Sequence, residues 1–265
     1  MNRIDKTFKD LNQKNEKALV GFLSAGDPNL PDSLKIIKAM CSKGLDILEL
    51  GIPFSDPTAD GPVIQRSSSR ALNSGINLKA VLEMTASLRQ ETSIPIILFS
   101  YYNPVYAYGA KAFYKDALTA GADGLLVVDL PPEESEEMTS CWPGNDLALI
   151  RLIAPTTPVE RMKKIALSAS GFLYLVSKTG VTGSDGLNTE SINDKIALLR
   201  SVTSLPICVG FGISTAKDVT AIASVADGVV IGSAFERIIE ENIENPDLAS
   251  ILADKVYEFK KATIL

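Results

Sequence analysis

The chain has 265 residues, 46% of them hydrophobic and 22% charged, enough apolar mass for one large barrel or two small domains. With 32 acidic against 26 basic side chains the net charge is −6, which argues against a nucleic-acid surface and leaves room only for local basic sites. No histidine is present, so His-based triads, His–metal sites and imidazole acid/base chemistry are excluded, and proton transfer falls to carboxylates, tyrosines and lysines.

No apolar run approaches the roughly 18 residues that a membrane span needs, and the opening Met1-Asn2-Arg3-Ile4-Asp5-Lys6 lacks the apolar core of a signal peptide. A cytoplasmic protein without membrane contact is expected. Cys41, Cys141 and Cys208 are odd in number, far apart and without metal-ligand spacing, so they read as reduced and mostly core residues.

In chain order, residues 2–13 read as a short polar helix, followed by a first apolar run from Ala18 to Ser24 that Ala25-Gly26-Asp27-Pro28 ends. Pro31-Asp32-Ser33 opens a helix whose apolar residues Leu34, Ile36, Ile37, Met40 and Cys41 fall at helical spacing until Gly44. Further strand-length apolar runs follow at 46–50, 94–99, 124–129, 147–153, 172–176, 207–210 and 228–231, making eight. Amphipathic segments near 34–43, 62–73, 78–90, 110–120, 133–140, 158–168, 190–202 and 215–224 separate them. Such alternation requires parallel pairing, because each crossover needs a helix to return the chain. Eight units in about 250 residues match a closed (β/α)8 TIM barrel rather than a doubly wound sheet. With no linker or low-complexity stretch, residues 1–265 are expected to form one such domain, with the N-terminal helix across the bottom of the barrel.

In a barrel of this kind the active site is assembled from the segments at the C-terminal end of each strand. The richest such segment runs from Leu48-Glu49-Leu50-Gly51-Ile52-Pro53 through Phe54-Ser55-Asp56-Pro57-Thr58-Ala59-Asp60 to Gly61-Pro62. Glu49 sits at the downstream tip of an otherwise apolar strand. A carboxylate left ionised in an apolar site costs several kcal/mol unless paired, and its usual escape is a raised pKa, as a general acid/base near neutrality requires. Taken singly, the same acid reads equally as a strand-end carboxylate tied to a lysine, and Asp56 and Asp60 as turn formers or helix caps. Glycine-bearing stretches after strands six, seven and eight, Thr179-Gly180-Val181-Thr182-Gly183, Gly210-Phe211-Gly212-Ile213-Ser214 and Gly232-Ser233-Ala234, meet at one corner of such a barrel. There, backbone N–H groups and a helix N-terminus can cradle a phosphate, which predicts a phosphorylated small-molecule ligand. Tyr101 and Tyr102, after strand three, are placed to reach the site, although barrel tyrosines are more often half-buried packing residues.

The segment 48–62 resembles the signature of the tryptophan synthase alpha chain family, and the likeness runs nearly end to end. It includes the segment 21–28, Tyr101-Tyr102-Asn103-Pro104, Asp129-Leu130-Pro131 and the three glycine stretches. The resemblance implies a (β/α)8 lyase that splits indole-3-glycerol phosphate into indole and glyceraldehyde 3-phosphate. It further implies an α2β2 complex in which a beta chain carries pyridoxal phosphate, with no cofactor on this chain. Carried over by position, the general acid/base falls on Glu49 and the partner of the indole nitrogen on Asp60. Phe22 and Tyr174 would line the indole pocket, and Thr182 would orient Asp60. Gly183, Gly212, Gly232 and Ser233 would bind phosphate, with Phe211 among the substrate-binding residues, and Asp56 would face the beta chain. Lys178 and Ser184-Asp185-Gly186-Leu187-Asn188 depart from the commoner family pattern, in a loop expected to close as a lid. Two other readings compete: a Schiff-base aldolase using Lys178, and a catalytically weak regulatory subunit that only activates a synthase partner.

Overall fold

A computed structural model describes residues 2–177, 189–210 and 212–264. Eight parallel strands close into a barrel in chain order: β1 (Ala18–Ser24), β2 (Ile47–Gly51), β3 (Ile96–Ser100), β4 (Gly124–Val127), β5 (Ala148–Ile153), β6 (Leu173–Val176), β7 (Ile207–Gly210) and β8 (Gly228–Ile231). The helices are α1 (Arg3–Gln13), α2 (Leu30–Ser42), α3 (Pro62–Asn73), α4 (Leu78–Arg89), α5 (Tyr102–Tyr108) and α6 (Ala110–Ala120), then α7 (Ser135–Thr139), α8 (Val159–Leu167), α9 (Thr189–Arg200), α10 (Ala216–Ala223), α11 (Ser233–Glu241) and α12 (Leu248–Lys261). The expected TIM barrel is therefore the observed one. Three helices, α5, α11 and α12, fall outside the segments read from the sequence, and the strand expected to run to Asp129 stops at Val127. Asp129 instead accepts the Tyr102 N–H at 2.7 Å, which caps the start of α5. No described helix is long and apolar enough to cross a membrane.

Strand alternation divides the apolar residues into two bodies, because successive side chains point to opposite faces. Leu48, Leu98, Leu125, Leu173 and Val229 face the helices, whereas Val20, Ile47, Ile97, Leu126 and Ile150 fill the barrel. Helix α1 adds Ile4, Phe8 and Leu11 to the inner body, and Phe8 meets Phe172 with ring centroids 5.9 Å apart. The N-terminal helix thus stoppers the bottom of the barrel. The three cysteines are free thiols; only Cys208 is fully buried, while Cys41 and Cys141 are half-buried, so the expectation of mostly core cysteines holds in part. Burial nevertheless pushes the Cys41 thiol up to about 11, away from reactivity.

At the bottom, one device recurs four times. Asp46, Asp123, Ser170 and Asp227, each just before an even-numbered strand, accept the backbone N–H of Leu19, Ile96, Leu149 and Ile207 respectively, at 2.7, 2.9, 2.8 and 2.8 Å. Each of those N–H groups lies near the start of the preceding odd strand, where the ladder leaves a donor to satisfy. The three carboxylates are also paired with cations: Asp46 with Lys260, Asp123 with Arg3 and Arg89, and Asp227 with Arg200. Strand pairs are thereby pinned end to end before any loop at the top is built. Asp123 is the most deeply placed of these acids, with a side chain only 4% exposed. Asp123→Ala strands Arg89 and the Ile96 N–H in the interior, and is expected to cost about 3 kcal/mol in denaturant unfolding. Arg3→Ala, which removes a half-exposed partner, should cost less than about 1 kcal/mol by the same measurement.

Candidate active site

Glu49 shares the inward parity of Ile47, and its register partners are Phe22 on β1 and Ile97 on β3. It is 1% exposed, its Oε1 has no hydrogen-bond partner, and no cation pairs with it among the described residues. Among the described residues, no lysine ties down this strand-end acid. Burial alone pushes the Glu49 carboxyl up to about 8, so the group is protonated at neutral pH.

Asp60 sits on the loop between β2 and α3, facing a cleft lined by Phe22, Ser24, Gly51, Phe54, Phe99 and Tyr101 among others. The Tyr101 hydroxyl donates to Asp60 Oδ2 at 2.9 Å and accepts the Ala59 N–H at 2.9 Å. Burial raises the Asp60 carboxyl to about 6, and the Tyr101 hydrogen bond holds it lower than burial alone would. The loop is fastened elsewhere too: Ser68 Oγ accepts the Phe54 N–H at 3.0 Å, and Gln65 Nε2 donates to the Asp60 carbonyl at 2.8 Å. Of the two readings open for Tyr101, packing residue or site residue, the second is the one that its bond to Asp60 favours. Its place directly after β3, beside the loop on β2, was the available signal.

Small residues make room for the rings. A Cβ on Gly51 would stand 2.7 Å from Phe22 Cζ, and one on Gly210 would stand 2.2 Å from the Tyr174 hydroxyl oxygen. Phe22 packs edge-on against Phe99 with centroids 5.1 Å apart. Tyr174 is buried on β6, and its phenol is pushed well above its ordinary range, first by desolvation and then by the charges of Glu49, Cys208 and Asp60. The acids from β2 and its loop thus converge on the same aromatic wall.

Gly210 pairs with Val230, and Gly212 and Gly232, two residues beyond each, follow the ends of the neighbouring strands β7 and β8. Gly212 has φ +75°, a conformation that favours glycine. Gly232 is the N-cap of α11, and Ser233 is that helix's first residue, so the opening N–H groups lack intrahelical acceptors. Lys178, Thr182, Gly183, Phe211 and the expected lid all lie outside the described residues. Asp56 is exposed on the same loop as Asp60, where it accepts the Ser55 hydroxyl at 2.6 Å.

A closed barrel with two inward carboxylates and a glycine corner narrows the possibilities, and comparison with known proteins decides among them. The family model described as tryptophan synthase alpha chain matches residues 8–263. The chain belongs to the tryptophan synthase alpha chain family. It is 67% identical over 263 residues to the tryptophan synthase alpha chain of Desulfosudis oleivorans, covering 99% of each chain. Among solved structures it resembles the alpha subunit of tryptophan synthase from Legionella pneumophila, with a TM-score of 0.91, 38% identity and 99% and 98% of the two chains covered. It also resembles a chain of Mycobacterium tuberculosis tryptophan synthase, with a TM-score of 0.91, 30% identity and 100% and 99% covered.

In this family member the unpartnered acid has a consequence for stability. The unfolded chain releases the Glu49 proton near 4.5 and the folded one near 8, so the native state holds the extra proton between those values. Wild-type stability then declines as pH rises through that window, whereas Glu49→Gln cannot titrate. By pH 8 the Gln variant should be the more stable by up to about 4 kcal/mol, with the gap closing below about pH 4.5, as urea unfolding at several pH values would read.

Proposed function

We propose that Glu49 and Asp60 carry the reaction of this family, the cleavage of indole-3-glycerol phosphate to indole and glyceraldehyde 3-phosphate in tryptophan biosynthesis. The observation that carries the assignment is the split between the acid on β2 and the one on its following loop: the first rises to about 8 by burial without a partner among the described residues, and the second rises only to about 6 with a phenol donating to it. Between those values Glu49 is an acid and Asp60 an anion, the division of labour a retro-aldol cleavage needs.

Protonated Glu49 delivers its proton to indole C3 while the ring nitrogen becomes positive. Anionic Asp60, held by Tyr101, accepts the N1–H hydrogen bond and stabilises that charge in a dry site. The Glu49 carboxylate then takes the proton of the glycerol hydroxyl next to C3. That oxygen becomes the aldehyde oxygen as the carbon–carbon bond breaks and its electron pair returns to the ring. The proton count closes, since Glu49 ends as it began. The rings of Phe22, Phe99 and Tyr174 supply the apolar slot for the indole. Gly212, Gly232 and Ser233, with Thr182, Gly183 and Phe211 from outside the described residues, bind the phosphate end and orient Asp60. Binding energy there holds the reacting carbon against Glu49.

The cleavage is redox-neutral and is driven by proton transfers, so its chemistry asks for no cofactor on this chain. The partner we propose is a tryptophan synthase beta chain in an α2β2 complex, with pyridoxal phosphate on the beta chain and Asp56 in the contact. Supporting this are the likeness to a chain of the M. tuberculosis synthase and the exposed position of Asp56 at the mouth of the site. We also propose a cytoplasmic location, supported by a phosphorylated substrate whose charge keeps it from crossing a membrane unaided.

Glu49→Gln should abolish indole release while leaving affinity for glycerol 3-phosphate within about twofold, as calorimetry would measure, and near-wild-type turnover would remove Glu49 from the mechanism. The pH profile of wild-type kcat/KM should rise through about 6 and fall through about 8. Tyr101→Phe removes the bond that favours the Asp60 anion, so its acidic limb should move to higher pH with the alkaline limb unchanged. An unmoved acidic limb would detach Tyr101 from Asp60.

A further inference from the structure

A second buried carboxyl, on the other side of the barrel wall, takes no part in the cleavage chemistry. Glu236 lies in the first turn of α11, three residues after Ser233, and is 0% exposed. Its Oε1 accepts the Ser24 N–H at 2.5 Å, at the tip of β1. Its Oε2 is buried with no N–H or hydroxyl donor among the described residues, and a neighbour it interacts with is another acid, Asp27. Asp27, 1% exposed, is committed to Arg70 on α3, whose Nε and Nη2 donate to its two oxygens at 2.7 Å each.

The surroundings settle the charge. From α3, Arg70 also donates to Glu240 at 3.1 Å, and Arg66 reaches the same Glu240 at 2.6 and 2.8 Å. From α12, Phe259 packs against Phe235 of α11 with ring centroids 5.8 Å apart. Three carboxyls therefore face two guanidinium groups, and the cluster is neutral only if one acid keeps its proton. Glu236 is that acid, because burial and the Asp27 charge both push it well above the ordinary range. With the proton on Oε2, the orphan oxygen becomes a donor to Asp27 and every buried polar atom of the pair is satisfied.

The position of the pair gives it a role. Helix α11 opens with the Gly232–Ser233 corner, β1 carries Phe22 and Ser24 into the cleft, and α3 follows directly on the Asp60 loop. A carboxylate in a helix's first turn competes for the positive end of its dipole, whereas a neutral carboxyl leaves that end to a bound anion. We propose that Glu236 is a positioning residue for the phosphate end of the substrate: as a neutral acid donating to Asp27 and accepting from Ser24, it fixes the start of α11 against β1 and leaves the helix N-terminus to the phosphate. This rests on the reading that phosphate sits at Gly232 and Ser233.

Glu236→Gln keeps both hydrogen bonds and cannot ionise; Glu236→Val removes both. The test is glycerol 3-phosphate affinity by calorimetry and KM and kcat for indole-3-glycerol phosphate, on the full chain. At pH 7 the Gln variant should match wild type within about twofold, and the Val variant should bind glycerol 3-phosphate about tenfold more weakly, raising KM with kcat within about threefold. As pH is raised through the range in which Glu236 ionises, wild type should lose affinity relative to Gln, a divergence that a merely structural glutamate would not produce. Equal affinity in wild type and Val, or a Gln variant as impaired as Val, overturns the proposal. If Val does not fold, the wild-type to Gln ratio across pH decides it alone, and a constant ratio refutes it. Failure of the wild type itself to bind glycerol 3-phosphate would instead overturn the phosphate reading, and this inference with it.

Discussion

The site depends on keeping water from one carboxyl. Glu49 projects into a barrel filled by aliphatic and aromatic side chains, where no donor or cation among the described residues offsets the cost of ionisation, and its proton affinity rises accordingly. The rest of the site follows from that dryness. Asp60, one loop away, receives a hydroxyl hydrogen bond and stays the stronger acid, so two chemically similar side chains are separated into an acid and an anion. Gly51 and Gly210 serve the same end, since a methyl group at either position would displace the rings that close the interior around Glu49.

The two buried glutamates illustrate how surroundings assign roles. Glu236 has a donor on one oxygen and an acid on the other, and its proton is held in a closed set of hydrogen bonds beside Arg70. Such a proton stabilises an arrangement. The Glu49 proton has no acceptor among the described residues, so it is free for whatever enters the cleft. Both carboxyls are raised by desolvation, and the difference between a clasp and a reactive group lies in what each faces.

Stability and function occupy opposite ends of the barrel. At the bottom, Asp46, Asp123, Ser170 and Asp227 satisfy the opening donors of β1, β3, β5 and β7, and α1 plugs the interior. This leaves the top free to be built from loops that satisfy chemistry rather than strand ends. Strand alternation connects the two: the parity that places Ile47 in the lower packing layer places Glu49 in the layer above it, beneath the cleft.

Local pattern was enough to read eight strands, their parallel pairing and most helices, because hydrophobic periodicity and glycine or proline stops are properties of neighbouring residues. It also marked Glu49, since charge at the end of an apolar run is visible in one dimension, and Asp60, because it lies on the loop that follows that strand. Helix α5 is only seven residues long and carries Pro104, which a first helical turn tolerates, and it is capped by Asp129, distant in sequence, so no local pattern marked it. Tyr101 on Asp60, Tyr174 against Gly210, and Glu236 with Asp27 and Arg70 were decided only by folding. Each joins residues tens to hundreds of positions apart. A carboxyl's proton affinity is set by the solvent and charges within a few ångströms, and only closure of the barrel determines which groups those are.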